Sequence, residues 1–281
     1  TSRSCCRRPA CSPTSLEELT MDLGLSDRVV IVTGGASNIG RAIAQCFASE
    51  GAKVAIFDRD ETMARRTASE ITDAGGTVSV YPVDLTDVDA TAAAAGAVEG
   101  DLGPVAVLVN NVGWNGTAEF FLNLPPERWE QAYRLNFFPT LNATRAVLGR
   151  MVERRDGCVI SIASDAGFGE FRMSDYGGMK AGVMSFMRTL AKEYGRYGIR
   201  ANSVCPGLVI PEEGTIGEQS LWQVDTKMGE REIRNIESGI PLRRRSEAVD
   251  IAWSVVFLAS QQARQLTGQV LSVSGGFQMP R

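Results

Sequence analysis

From residue 29 onward the chain changes its hydrophobic period again and again. Short β-branched, apolar runs alternate with longer segments in which apolar residues recur every three or four positions. The runs predict strands at 29–33, 53–57, 77–81, 105–109, 158–163, 200–204 and 269–273. The segments between them predict helices at 39–50, 61–74, 88–100, 126–154, 176–197 and 247–260, with an irregular stretch before about residue 245. Strand, helix and strand in succession constrain the fold severely. Parallel neighbours need a crossover, and the crossover places helices on the sheet faces. The expectation is an α/β fold: one parallel sheet of about seven strands with helices on both sides.

Composition then narrows the chemistry. The 281 residues contain no histidine. That excludes Ser-His-Asp and Cys-His nucleophile systems and any His-ligated metal centre, so no metal site is expected. An acid or base must be a carboxylate, Lys, Tyr or Cys. A net charge of −4 argues against a nucleic-acid partner, and no apolar run reaches the roughly 18–20 residues of a membrane span. Cys46, Cys158 and Cys205 stand singly in apolar stretches and read as reduced core residues, so a cytoplasmic location is expected. Residues 1–20 differ in composition, with Arg3, Arg7, Arg8 and a crowd of cysteines, and read as a disordered or non-native tail before one domain at 21–281.

Two clusters carry chemistry. Thr33-Gly34-Gly35-Ala36-Ser37-Asn38-Ile39-Gly40 joins the first strand to the first helix. Such a turn lets backbone N–H groups and a helix N-terminus face a pyrophosphate, although a tight strand–helix turn also needs glycine. Asp58 ends the next strand, where a dinucleotide site wants an acid for ribose hydroxyls. Asp58 repels a 2′-phosphate and Arg59 favours one, so NAD is expected over NADP. Asp84-Leu85, after the third strand, reads as an adenine contact or as a helix cap.

The second cluster is Tyr176 and Lys180, four apart at the start of a predicted helix and so on one face. With five tyrosines and four lysines in the chain, chance supplies roughly 0.07 such pairs. A free phenol has a pKa of about 10, and a neighbouring ammonium lowers it, which gives acid–base chemistry without histidine. Ser164 follows a predicted strand and can donate to a carbonyl oxygen. Asn136 lies in the long helix 126–154, as a kink, a water holder or a solvent-facing residue.

In this order the residues resemble the short-chain dehydrogenase/reductase family, single-domain and Rossmann-type, over residues 25–279. The resemblance rests on Thr33-Gly34, Asp58, Asp84-Leu85, Asn110-Asn111-Val112-Gly113, Asn136, Ser164, Tyr176-x-x-x-Lys180, Pro206-Gly207 and Leu266-Thr267-Gly268. It implies a doubly wound parallel sheet and a tetrad of Asn136, Ser164, Tyr176 and Lys180. Tyr176 exchanges a proton with substrate, Ser164 holds the substrate oxygen, Lys180 lowers the Tyr176 pKa and binds ribose, and Asn136 holds a relay water. It further implies cofactor contacts from Gly34, Ser37, Asn38, Ile39, Gly40, Asp58, Arg59, Asp84, Leu85, Asn110, Val112, Gly113, Pro206, Gly207 and Val209. Substrate contacts fall to Trp114, Ser164, Phe168, Phe171 and Trp222, with a lid over about 207–245. The implied reaction is NAD-dependent hydride transfer with a small-molecule secondary alcohol or ketone, medium-sized and partly apolar. The alternatives are an NADPH-dependent carbonyl or 3-oxoacyl-thioester reductase, and a non-catalytic nucleotide-binding scaffold. The expected assembly is a homotetramer paired through the two long helices. Two positions depart from the family pattern. Asn38 stands where glycine is usual, and Pro211 where a carboxamide-binding threonine is common.

Overall fold

A computed structural model describes residues 22–212, 214–217 and 229–279. Seven strands form one parallel sheet: β1 (Val29–Thr33), β2 (Lys53–Asp58), β3 (Thr77–Pro82), β4 (Val105–Asn110), β5 (Gly157–Ile162), β6 (Ile199–Pro206) and β7 (Val270–Val273). Their order is β3-β2-β1-β4-β5-β6-β7, every neighbouring pair parallel. The order reverses between β1 and β4, and there the carboxyl ends of the strands open a crevice.

The strands are buried on both sides, so their side chains divide with period two between two cores. Val30, Val32, Val54 and Ile56 join a cluster with Ile43 and Phe47 of α1 (Asn38–Ser49) and Ile251 and Val255 of α8 (Ala248–Ala259). Val29, Ile31, Ala55 and Phe57 join the opposite cluster. Its helices are α3 (Val88–Asp101), α5 (Phe138–Arg154) and α6 (Ser174–Tyr194), which contribute Val98, Val147, Met151 and Met187. Each such aliphatic side chain contributes roughly 1.5–3 kcal/mol by burial. Local chemistry starts the helices. The Asp60 carboxylate accepts from Met63 N–H (3.1 Å) at the start of α2 (Glu61–Asp73). Asp87 accepts from Ala90 N–H (2.9 Å) at the start of α3.

The expected helix 126–154 is two helices, α4 (Pro126–Asn136) and α5, divided at Phe137. Pro139 has no N–H to return to the Leu135 carbonyl, and the Asn136 amide donates instead to Ala132 O (3.0 Å). The irregular stretch contains α7 (Glu230–Gly239), whose residues are all at least partly exposed. Only Ile233 and Ile236 are apolar along it, too few to mark a period in the sequence. No helix among the described residues is long and apolar enough to cross a membrane.

Candidate active site

A cleft of about 630 Å³ runs along the carboxyl ends of the strands. One end is the turn after β1. Gly34 has φ +62°, and a Cβ at Gly40 would collide with the Gly34 carbonyl. Both positions therefore require glycine for the close approach of turn and helix. Asn38 has φ +43°, the left-handed region that asparagine tolerates. The first turn of α1 has no acid, and Ser37 makes no side-chain cap bond, a helix start whose charge suits an anion. At the tip of β2, Asp58 accepts N–H bonds from Ala36 (3.1 Å) and Asp60 (3.0 Å). Burial pushes its carboxyl pKa up and these two bonds pull it down. Arg59 lies within electrostatic reach of both Asp58 and Asp84. Asp84 accepts from the Thr86 N–H (2.9 Å) and hydroxyl (2.8 Å), while Asp87 does the helix capping.

The other end holds Ser164, Tyr176 and Lys180. Burial pushes Tyr176 up to about 12, and the Ser164 hydroxyl bonded to it acts the other way. Lys180 is 2% exposed, donates to the Ile162 carbonyl (2.9 Å), and is brought down to about 8 by burial. Its Nζ lies 5.7 Å from the centre of the Tyr176 ring. Burial is the larger influence on the phenol here, and the Ser164 hydroxyl is the hydrogen bond that acts toward the phenolate. Asn136 is fully buried. Its amide donates to Trp114 O (2.8 Å) and Ala132 O, and its Oδ1 accepts from Trp114 N–H (2.8 Å). Both amide hydrogens are thus committed to protein, and the side chain holds the Trp114 backbone.

The cleft gathers Gly34, Ser37, Asn38, Ile39, Gly40, Asp58, Arg59, Asp84, Leu85, Val112, Gly113, Trp114, Ser164, Phe171, Tyr176, Lys180, Pro206, Gly207 and Val209. Three expected residues stand apart. Asn110 lies behind the cleft, donating to Thr144 Oγ1 (3.0 Å) and Ser161 Oγ (3.2 Å) and so tying β4 to α5 and β5. Phe168 packs against the core under α6 and does not line the cleft. Trp222 lies outside the described residues. Asn111 and Asp165 are among the cleft residues that the sequence reading did not assign. Asn111 donates from its amide to Thr33 O and Gly34 O (3.1 Å each), which clamps the glycine turn; the Asn110-Asn111 doublet was its signal. Asp165 is buried at the Ser164 end, its carboxylate accepting from Ser272 Oγ (2.9 Å); its place beside Ser164 was its only signal. Lid residues 214–217 cross the first end. Thr215 O accepts from Asn38 N–H (3.3 Å), and Gly214 O accepts from Arg66 (2.9 Å).

A sequence model described as short chain dehydrogenase matches residues 28–214. Acetoacetyl-CoA reductase of Synechocystis sp. is 34% identical over 91% of this chain and 98% of its own length. The 2,3-dihydro-2,3-dihydroxybenzoate dehydrogenase of Bacillus subtilis is 32% identical over 90% of this chain and 97% of its own. The crystal structure of gox2181 superposes with a TM-score of 0.82 at 30% identity, covering 91% of this chain and 97% of that one.

Proposed function

The chain belongs to the short-chain dehydrogenase family and is a hydride-transferring oxidoreductase of hydroxyl and keto groups; from that premise we propose that it interconverts a secondary alcohol and its ketone with NAD, using Tyr176 as acid–base. The observation that carries the reading is the layout of one cleft. An acid-free helix start and a fixed carboxylate lie at one end, and a hydroxyl, a phenol and an ammonium at the other. The first end fits a dinucleotide of the family's NAD(P) type: Gly34 and Gly40 keep Cβ atoms out of the turn, and Asp58 suits ribose hydroxyls. When bound, the nicotinamide supplies or accepts the hydride at the substrate carbon.

The chain's own residues do the rest. Ser164 donates to the substrate oxygen and polarises it. Tyr176, protonated at neutral pH because burial holds its pKa high, donates a proton to that oxygen as negative charge develops in reduction, and takes it back in oxidation. Lys180, while charged below about pH 8, stabilises the phenolate left behind. Gly113 passes close to Lys180 Nζ, where a Cβ would stand only 2.8 Å away, and Lys180 would hold the nicotinamide ribose.

Asp58 favours NAD, because a 2′-phosphate would meet a fixed carboxylate there. NADPH-dependent reduction of a 3-oxoacyl thioester is the second reading, favoured by the acetoacetyl-CoA reductase relative. Buried, unpaired Cys46, Cys158 and Cys205 accord with a reducing, cytoplasmic setting. The test is a kcat/KM comparison of NAD and NADP over secondary alcohols and 3-oxoacyl thioesters. NAD is expected to be preferred, and Asp58→Ala to shift the ratio at least tenfold toward NADP. Tyr176→Phe is expected to cut kcat by about 10²–10⁴ with the Kd for NAD within twofold. Full turnover in that variant overturns the mechanism.

A further inference from the structure

The loop after β4 is folded around a guanidinium. Arg128, in the first turn of α4, donates to the main-chain oxygens of Asn115 (3.3 Å) and Thr117 (3.2 Å). Its Cζ stands 4.5 Å from the centre of the Trp114 ring. Gly116 between them has φ +55°, and a Cβ there would collide with the same guanidinium. Asp175 Oδ2 meets Arg128 Nε at 3.0 Å, with side-chain exposures of 15% for Arg128 and 4% for Asp175. Asp175 immediately precedes Tyr176. Asn136, at the far end of α4, grips the Trp114 main chain at both N–H and C=O. Trp114 lines the cleft and Arg128 does not, so the guanidinium backs the indole from the side away from the cleft.

We propose that Arg128 and Asp175 are positioning residues that fix Trp114 as a flat apolar platform, against which an aryl or cyclic substituent of the substrate alcohol stacks. The inference rests on the proposed alcohol–ketone reaction and adds its substrate class. A loop otherwise free to move loses backbone entropy for every residue fixed on binding. The guanidinium settles that cost in advance by holding two carbonyls and one ring face at once. Arginine alone suits the task, since its planar fork stacks and donates together, whereas a lysine ammonium is a point charge. Asp175 compensates a charge that would otherwise lie buried and unpaired.

The experiment measures kcat and KM with NAD for 1-phenylethanol and 2-butanol in wild type, Trp114→Ala, Arg128→Met, Arg128→Lys and Asp175→Asn. Wild type is expected to favour 1-phenylethanol in kcat/KM. Arg128→Met should raise KM for 1-phenylethanol about tenfold, with kcat and the 2-butanol KM within twofold. Arg128→Lys, which keeps the charge opposite Asp175, should fall between, and serves if the methionine variant does not fold. Trp114→Ala should abolish the preference. Turnover of 2-butanol without an aryl preference, or equal KM changes for both alcohols, overturns the platform and leaves the reaction standing. Absence of turnover with either alcohol strikes the reaction instead. The platform is then read by calorimetric titration of 1-phenylethanol into NAD-loaded protein. Tighter binding to wild type than to Trp114→Ala and Arg128→Met supports it; equal binding, or none, overturns it.

Discussion

Burial acts on Tyr176 and Lys180 in opposite directions, holding each toward its neutral form. Asp165, 3% exposed beside them, feels the same pressure: burial raises its carboxyl to about 6 although Ser272 and Ser274 hydrogen-bond it. A folded-state pKa raised above the ordinary carboxylate value means that the fold prefers the protonated group. The stability it contributes is full below about pH 4 and lost as pH rises through about 6. Asp165→Asn removes that titration while keeping an oxygen acceptor for Ser272. Its Tm is expected to exceed wild type by about 2–4 °C at pH 7.5 and to fall to the wild-type value or below at pH 4. Thermal denaturation at the two pH values checks this. An equal Tm difference at both would mean that the carboxylate is not strained by its burial.

Among the elements, α1 and segment 214–217 share a contact at the proposed cofactor end. Asn38 N–H, at the start of α1, is already given to Thr215 O, and Gly217 packs on Asp60 and Met63. A pyrophosphate at this helix start would compete with the Thr215 carbonyl for the same donor, so segment 214–217 is expected to rearrange when the dinucleotide binds. Limited proteolysis is expected to cut the region 207–245 at least threefold more slowly with saturating NAD; equal rates rule out ordering of the lid by cofactor. The elements were legible in the sequence where burial imposes a period. All seven strands and both cores follow from β-branched runs and helical spacing. The break at Phe137 was not, because the apolar pattern continues through it, and only Pro139 and the Asn136 amide reveal it. Helix α7 was missed because none of its residues is fully buried. At the site, residues held by backbone geometry, such as Gly34, Gly40 and Asn38, were readable from type and spacing. Phe168 was not, since whether an aromatic faces cleft or core depends on a loop that the sequence does not time. The Arg128–Asp175 pair joins residues 47 positions apart, a separation that no local pattern records.

At the scale of the whole molecule, the sequence expectation placed the assembly surface on the two long helices. Along them Arg145, Gly149, Arg150, Ser185, Arg188 and Thr189 are exposed and polar or small, while Trp129 (41% exposed) and Tyr133 (42%) on α4 are exposed aromatics. A second set of large apolar side chains lies on another face. Val249 (40% exposed), Trp253 (46%) and Phe257 (39%) recur along one face of α8, and Leu271 (39%) lies on β7. Among the described residues, β7 is an edge strand of four residues bonded only to β6. An edge strand with unpaired N–H and C=O groups next to an apolar helix face favours a second copy of the same surface, because a two-fold axis covers both edges and both helices at once. The expected tetramer is then assembled through α8 and β7 at one of its axes. Light scattering at micromolar concentration should give a multiple of the 30.3 kDa chain mass. Trp253→Glu should halve the measured mass or reduce it to the monomer, because it buries an unpaired charge in the contact. The Asp58, Ser164, Tyr176 and Lys180 cleft lies at the strand ends and not on this face, so the variant is expected to bind NAD as wild type does. A monomeric wild type, or a variant of unchanged mass, would remove α8 and β7 from the assembly.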